Sequence, residues 1–219
     1  YRNDAMLGTA TMNRYIHQKY RSQTTLPLEN CQIRGTKHIL GTDGILYGDK
    51  VINIADVCCG SGCLGIYLAK KLKSRYVFFS DISADAIEVA KQNAKNFDVI
   101  GNFFVGNALD ELVKAGAKVD LLIANPPYIL NKIDVDKSVL ENEPHLALFT
   151  DESLSVYRDI FNKLNLIKND NGIIAVFEIG YDLKEKLIKL IYELLPECTY
   201  CFAKDINGKE RMLVIRLEA

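Results

Sequence analysis

From residue 51 onward, short apolar runs alternate with stretches whose apolar residues recur every three or four positions. Val51–Val57, Tyr76–Ser80, Asn102–Val105, Val119–Ala124 and Ile173–Ile179 are strand-sized runs. Between them, Leu64, Leu68 and Leu72, then Ile87, Ala90 and Ala94, then Val156, Ile160, Leu164 and Ile167, then Leu183, Leu187, Leu190, Ile191 and Leu194 are spaced as helix faces. Ser83 is placed to cap the second helix. Asp151 and Glu152 are expected in the first turn of the third, at the positive end of its dipole. Two last strands near 198–204 and 211–217 flank Asn207-Gly208, a hairpin turn signal. Alternation of this kind, with near-continuous apolar strands, predicts an α/β fold. A mostly parallel sheet of seven strands has helices on both faces and a C-terminal antiparallel hairpin. Ligands of such sheets bind beyond the carboxyl ends of the strands. That directs attention to the loops after Val57, Ser80, Val105 and Ala124.

Residues 1–50 differ in character. They carry seven Lys/Arg against four acids, net +3, so the remainder is −4. Residues 4–20 can form a helix, and Gly35, Gly41, Gly44 and Gly48 punctuate short hairpin-like pieces. The expected organisation is a short N-terminal helix and hairpin segment over 1–50, readable as a truncated substrate-docking region, and a catalytic domain over 51–219. The chain opens Tyr1-Arg2-Asn3-Asp4 without an initiator Met, as a fragment or trimmed chain would, and shows no signal-peptide pattern.

Composition excludes several classes. A 48% hydrophobic and 25% charged chain has material for a core. With 27 Lys/Arg and 28 Asp/Glu, the net charge of −1 argues against a protein that coats nucleic acid. No apolar run approaches the roughly 18 residues of a membrane helix. A cytoplasmic monomer is expected, without membrane contact or direct sequence-specific nucleic-acid binding. The six cysteines, Cys31, Cys58, Cys59, Cys63, Cys198 and Cys201, read as reduced structural thiols. Cys198 and Cys201 have a metal-like spacing but lie in a strand, where residues three apart face opposite sides, and no second pair accompanies them. No metal is expected. Asp134, Asp136, Glu141 and Glu143 are acidic by composition but lack a calcium-loop spacing. Arg14, His17, Lys19 and Arg21 read as a solvated helix face, and His145 as a surface histidine.

The loop after the first strand is Asp56-Val57-Cys58-Cys59-Gly60-Ser61-Gly62. Its glycines let backbone approach a ligand and turn into a helix. No Gly-Lys-Ser/Thr follows, which argues against a phosphate loop. Asp81 ends the second strand, where a carboxylate can accept both hydroxyl hydrogens of a ribose. Together these indicate a nucleoside cofactor, either NAD(P) or S-adenosylmethionine. Asn125-Pro126-Pro127-Tyr128, after the fourth strand, favours the second. The prolines fix the backbone. The Asn125 side-chain oxygen and the Pro126 carbonyl can then converge on a planar NH2 group, with the Tyr128 ring against it. An amide nitrogen is a poor nucleophile because its lone pair is delocalised. Two acceptors off its plane favour a pyramidal nitrogen and aim the lone pair at a methyl donor.

These residues resemble those of class I S-adenosylmethionine-dependent methyltransferases, a Rossmann-like fold, that modify amide or amine nitrogen. Glu143-Pro144-His145-Leu146-Ala147-Leu148-Phe149, Tyr157-Arg158, Glu178-Ile179-Gly180 and Asp205 to Arg211 narrow the resemblance to the release-factor glutamine methyltransferases (the PrmC/HemK family). It runs from about 51 to 217. It implies N5-methylation of the glutamine in the Gly-Gly-Gln loop of class 1 peptide-release factors, with S-adenosylhomocysteine as the second product. Asp56 and Cys58, Cys59, Gly60, Ser61 and Gly62 would line the methionine part of the cofactor. Asp81 would hold its ribose, and Asn107 and Ala108 would lie beside its adenine. Asn125 would touch both cofactor and glutamine. Pro126, Pro127 and Tyr128 would hold the glutamine, and Glu143 would order a loop near it. Asn125, Pro126 and Tyr128 would be the catalytic set.

The chain departs from the family in three places. Cys58 stands where the family usually has glycine, and is expected to be harmless there. Asn107 offers an amide where an acid is common, and Ala108 cannot stack on adenine. Residues 1–50 are too short for the family's N-terminal helical domain. Two other readings follow: an N-methyltransferase of adenine in nucleic acid or of a specialised peptide or small amine, and a cofactor-binding partner subunit without turnover.

Overall fold

The computed structural model describes residues 52–72, 74, 76–127, 154–204 and 208–219. In chain order the elements are β1 (Asn53–Val57), α1 (Cys63–Leu72), β2 (Tyr76–Asp81), α2 (Ala84–Asn96), β3 (Gly101–Val105) and α3 (Asp110–Lys114). They continue with β4 (Leu121–Ala124), α4 (Ser155–Ile167), β5 (Ile173–Glu178), α5 (Lys184–Leu194), β6 (Thr199–Lys204) and β7 (Glu210–Leu217). Seven strands form one sheet in the order β3-β2-β1-β4-β5-β7-β6. The first five run parallel, and β7 lies antiparallel between β5 and β6. The alternation read in the sequence gives this architecture.

Two apolar layers hold the helices on. On one face, α4 and α5 bury Tyr157, Ile160, Phe161, Leu164, Leu187 and Ile191 against Val57, Leu122, Ala175 and Phe177. On the other, α1 and α2 bury Ile66, Ala69, Ile87, Ala90 and Ala94 against Ile54, Val77 and Phe79. Successive strand residues feed opposite layers, which is why the strands are apolar throughout. Cys198 packs on the first layer and Cys201 lies in the second, so this pair does face opposite ways.

Ser83 caps α2 as expected, its Oγ accepting from Ala86 N at 3.2 Å. The start of α4 differs from expectation. The helix begins at Ser155, behind Leu154 in the left-handed region (φ +54), and its first turn carries no acid. Asp151 and Glu152 lie outside the described residues. Burial of the Leu154 side chain offsets the strain of its backbone. The short α3 was not expected, because one and a half turns carry too little periodicity to register.

The amino ends of the central strands are latched together. Asp120 is buried, accepting from Asn53 N at 2.8 Å and from Asn169 Nδ2 at 2.9 Å. Its backbone N–H donates to Asn53 O at 3.0 Å, and its carbonyl accepts from Ile174 N at 2.9 Å. One residue thus joins β1, β4 and β5 at the end of the sheet opposite the glycine loop.

Candidate active site

Strand order reverses between β1 and β4. The chain steps outward from β1 to β2 and β3, then returns to the other side of β1. Loops leaving the carboxyl ends of β1 and β4 therefore diverge and leave a crevice. Val57 pairs with Ser80 on one side and Ala124 on the other. The next residues outward, Cys58, Asp81 and Asn125, are neighbours along that rim. Asp81 in turn pairs with Val105, ahead of Gly106-Asn107-Ala108.

The glycine loop is tied down by hydrogen bonds. Cys59 N donates to Ser80 O (3.1 Å), Gly60 N to Asp81 Oδ2 (2.8 Å) and Gly62 N to Cys59 O (2.8 Å). The Ser61 carbonyl accepts from Asn93 Nδ2 at 2.9 Å. Gly60 has φ +52, and a Cβ built there would meet nothing within 4 Å. Gly60 thus opens onto free space, as a backbone that approaches a ligand requires. Asp81 receives Ser83 N on Oδ1 at 2.9 Å besides Gly60 N on Oδ2. Each carboxylate oxygen keeps a second acceptor position for a hydroxyl.

Asp56 lies beneath this loop, not on its open side. It is 2% exposed, and Oδ2 accepts from Gly65 N at 2.8 Å inside the first turn of α1. Asp56 thus braces the loop from within. Burial raises its pKa to about 8, against the lowering effect of the Gly65 hydrogen bond and with a smaller upward push from Asp81. Burial likewise pushes the Cys58 thiol up to about 12, helped by Asp81 and Asp56, and raises Cys59 further. Both stay protonated at neutral pH, as structural thiols do.

Gly65 is a site residue the sequence reading passed over, although Gly60-Ser61-Gly62-Cys63-Leu64-Gly65 is a Gly-x-Gly-x-x-Gly run whose third glycine serves close helix–strand packing. A Cβ on Gly65 would lie 2.8 Å from Phe79 Cε1, 2.9 Å from Asp56 Cβ and 3.0 Å from Asp56 Oδ2. Glycine to alanine inside a helix ordinarily stabilises by about 1 kcal/mol. Here Gly65→Ala is expected to destabilise by about 1–3 kcal/mol through overpacking. Urea unfolding measures it, and a midpoint equal to or above wild type would refute the close packing.

Cys58 corrects an expectation. Its φ is +54, so the position does require the left-handed region and the cysteine there is strained. The cost for a residue with a Cβ is about 1–2 kcal/mol, partly offset because the side chain packs on the first apolar layer. Ala108 is also left-handed (φ +45) and buried. Ser80 Oγ donates to its carbonyl at 2.8 Å, and Gly106 N donates to Asp81 O at 2.9 Å. With Leu154, three of the four left-handed non-glycine residues among those described sit in segments that follow or oppose the strand ends: Cys58 after β1, Ala108 after β3 and Leu154 ahead of α4. Local strain of this kind concentrates at working sites.

Ala108 offers no flat face, but Ile82 next to Asp81 is 60% exposed and Val105 is 51% exposed. They supply an apolar lip on either side of Asp81. Asn125 is half-buried, and its Oδ1 is buried without a hydrogen-bond partner among the described residues. Pro126 is buried and Pro127 half-buried behind it. An unpartnered buried oxygen costs about 1–3 kcal/mol, so an acceptor held open here calls for a ligand donor. Tyr128 and Glu143 lie outside the described residues.

Comparison with known proteins bears on the same segments. The family model of the Methyltransferase small domain matches residues 42–144. A release factor glutamine methyltransferase of Bacillus cereus is 35% identical over 175 residues, covering 78% of this chain and 62% of the relative. Over about three-quarters of its length the chain is similar to a release factor glutamine methyltransferase. Another such relative, from Staphylococcus aureus, is 36% identical over 163 residues, covering 73% of this chain and 58% of the relative. The chain thus spans about three-fifths of the length of these relatives. The fold recurs in solved structures. A ribosomal protein L11 methylase from Lactobacillus delbrueckii subsp. bulgaricus superposes with TM-score 0.55 at 22% identity, over 80% of this chain and 74% of that one. An rRNA methylase from Streptococcus thermophilus gives 0.51 at 19%, over 78% and 89%. At these identities the likeness is one of fold.

Proposed function

We propose that the chain is an S-adenosylmethionine-dependent N-methyltransferase whose acceptor is a side-chain amide, the N5 nitrogen of the glutamine in the Gly-Gly-Gln loop of class 1 peptide-release factors. The observation that carries this reading is the buried Oδ1 of Asn125 at the strand-order switch, unpartnered among the described residues and backed by two consecutive prolines. When bound, the cofactor supplies an electrophilic methyl group on a sulfonium.

The residues present fit that cofactor. Gly60 leaves open space over the loop, Asp81 keeps acceptor positions for ribose hydroxyls, and Ile82 and Val105 give apolar surface for a base. Asn125 Oδ1 accepts one amide hydrogen of the glutamine and the Pro126 carbonyl the other. The two acceptors fix the nitrogen and disfavour its planar form. No side chain is needed as a strong base, since the proton can leave to solvent after transfer. Tyr128 is proposed to lie against the amide and Glu143 to order the loop beside it. Among the described residues no helix is long and apolar enough to cross a membrane. A cytoplasmic monomer meeting its substrate in translation accords with this.

The test is incubation with methyl-labelled S-adenosylmethionine and an unmethylated class 1 release factor, followed by mass spectrometry of the Gly-Gly-Gln peptide. One added methyl on that glutamine is expected. No added methyl, with cofactor binding intact, would refute the acceptor while leaving the donor site standing.

A further inference from the structure

The amide of Asn107 can be turned two ways, and the direction decides what it offers. With its oxygen toward a ligand it accepts a hydrogen bond, and with its nitrogen toward a ligand it donates one. Asn107 Nδ2 donates to Asp159 Oδ2 across 3.5 Å, from the loop after β3 to the second turn of α4. Asp159 is itself held. Lys163, one turn further along α4, bonds both Asp159 and Asp110, the latter at 2.5 Å. Burial works against the charged Lys163, but its two carboxylate partners outweigh it and hold its pKa above the ordinary lysine value. Asp110 opens α3, and its backbone N–H donates to Asn107 O at 2.9 Å. The loop is also fixed from β2, by Ser80 Oγ on Ala108 O and Asp81 O on Gly106 N. With its backbone fixed from two sides, the Asn107 amide is oriented by its side-chain torsions and by what it bonds. A carboxylate, which only accepts, biases those torsions.

We infer that Asp159 is a positioning residue that turns the Asn107 amide so that Oδ1 faces the cofactor site as an acceptor, making the chain selective for a nucleoside with an exocyclic amino group. This rests on the cofactor reading proposed above. An asparagine free to flip would serve an amino-purine and an oxo-purine alike. Held by Asp159, it meets the amino group of adenine with a complementary oxygen and meets a 6-oxo group with a like acceptor. The network thus supplies by geometry the discrimination that a carboxylate at position 107 would supply by charge.

The experiment is calorimetric titration of S-adenosylhomocysteine and of its 6-oxo (hypoxanthine) analogue into the 219-residue chain, with Asp159→Asn and Asp159→Glu. Wild type is expected to favour the amino compound by about tenfold, the scale of one oriented hydrogen bond. In Asp159→Asn the new amide can present either atom to Asn107, so the preference is expected to shrink to about threefold or less. Asp159→Glu keeps an acceptor-only group and is expected to retain most of it. A purely structural role would change both affinities together and leave their ratio alone. An unchanged ratio in folded Asp159→Asn, or no preference in a wild type that binds S-adenosylhomocysteine, would overturn the inference. A wild type that binds neither compound would overturn the cofactor reading and the inference with it.

Discussion

Asn125→Ala is expected to slow methyl transfer by about 2–4 kcal/mol, roughly 30- to 1000-fold, the scale for losing one preorganised polar group. The same change is expected to leave the thermal midpoint unchanged or to raise it. The two expectations have one cause. Asn125 Oδ1 is buried without a partner among the described residues, so folding carries its desolvation cost. Alanine removes that cost together with the acceptor. Single-turnover methylation and a melting curve on the same preparations separate the two effects. Wild-type turnover in a folded Asn125→Ala protein would remove Asn125 from the reaction. A large fall in midpoint would show instead that the residue serves the fold.

The stability of the domain is expected to depend on pH through Asp56. Its folded pKa is raised from an ordinary 3.8 to about 8, mainly by burial. In the unfolded chain this carboxyl loses its proton near 3.8, whereas in the folded chain it keeps it until about 8. Its contribution is therefore fully present below the unfolded value. It is lost progressively as pH rises through that window, and is level above it. At about 1.4 kcal/mol per pH unit, the span from pH 5 to pH 8 sets an upper bound of about 4 kcal/mol, and about 2–4 kcal/mol is expected. Asp56→Asn keeps an acceptor for Gly65 N but cannot ionise. Urea unfolding of both proteins at several pH values isolates this group, since every other titration is common to the two. The variant is expected to match or trail wild type at pH 5 and to exceed it at pH 8. Parallel profiles would show that Asp56 ionises normally.

The sequence showed its strands because each faces apolar layers on both sides, so Ile54, Val77 and Leu122 needed no periodicity to be recognised. It showed the rim residues because Gly60, Asp81 and Asn125 are residue types with few other reasons to follow a strand. It could not show backbone dihedral angles. Cys58 looked harmless as a residue type, and only its φ of +54 exposes the strain. Asp56 stands in the loop, and no residue type could show that its carboxylate is bonded by Gly65 N of α1. The contact of Asn107 with Asp159 joins residues 52 positions apart, which no local pattern encodes. The onset of α4 was misread because acids before an apolar face resemble a first turn, while the left-handed Leu154 delays the helix to Ser155.

The Asp120 latch lies at the end of the sheet away from the chemistry. Its bonds to Asn53, Asn169 and Ile174 tie three adjacent strands together at their amino ends, away from the rim. Drift in the rim loops therefore need not unmake the sheet. A lineage can exchange one acceptor for another while inheriting the same frame, which is a physical basis for evolvability.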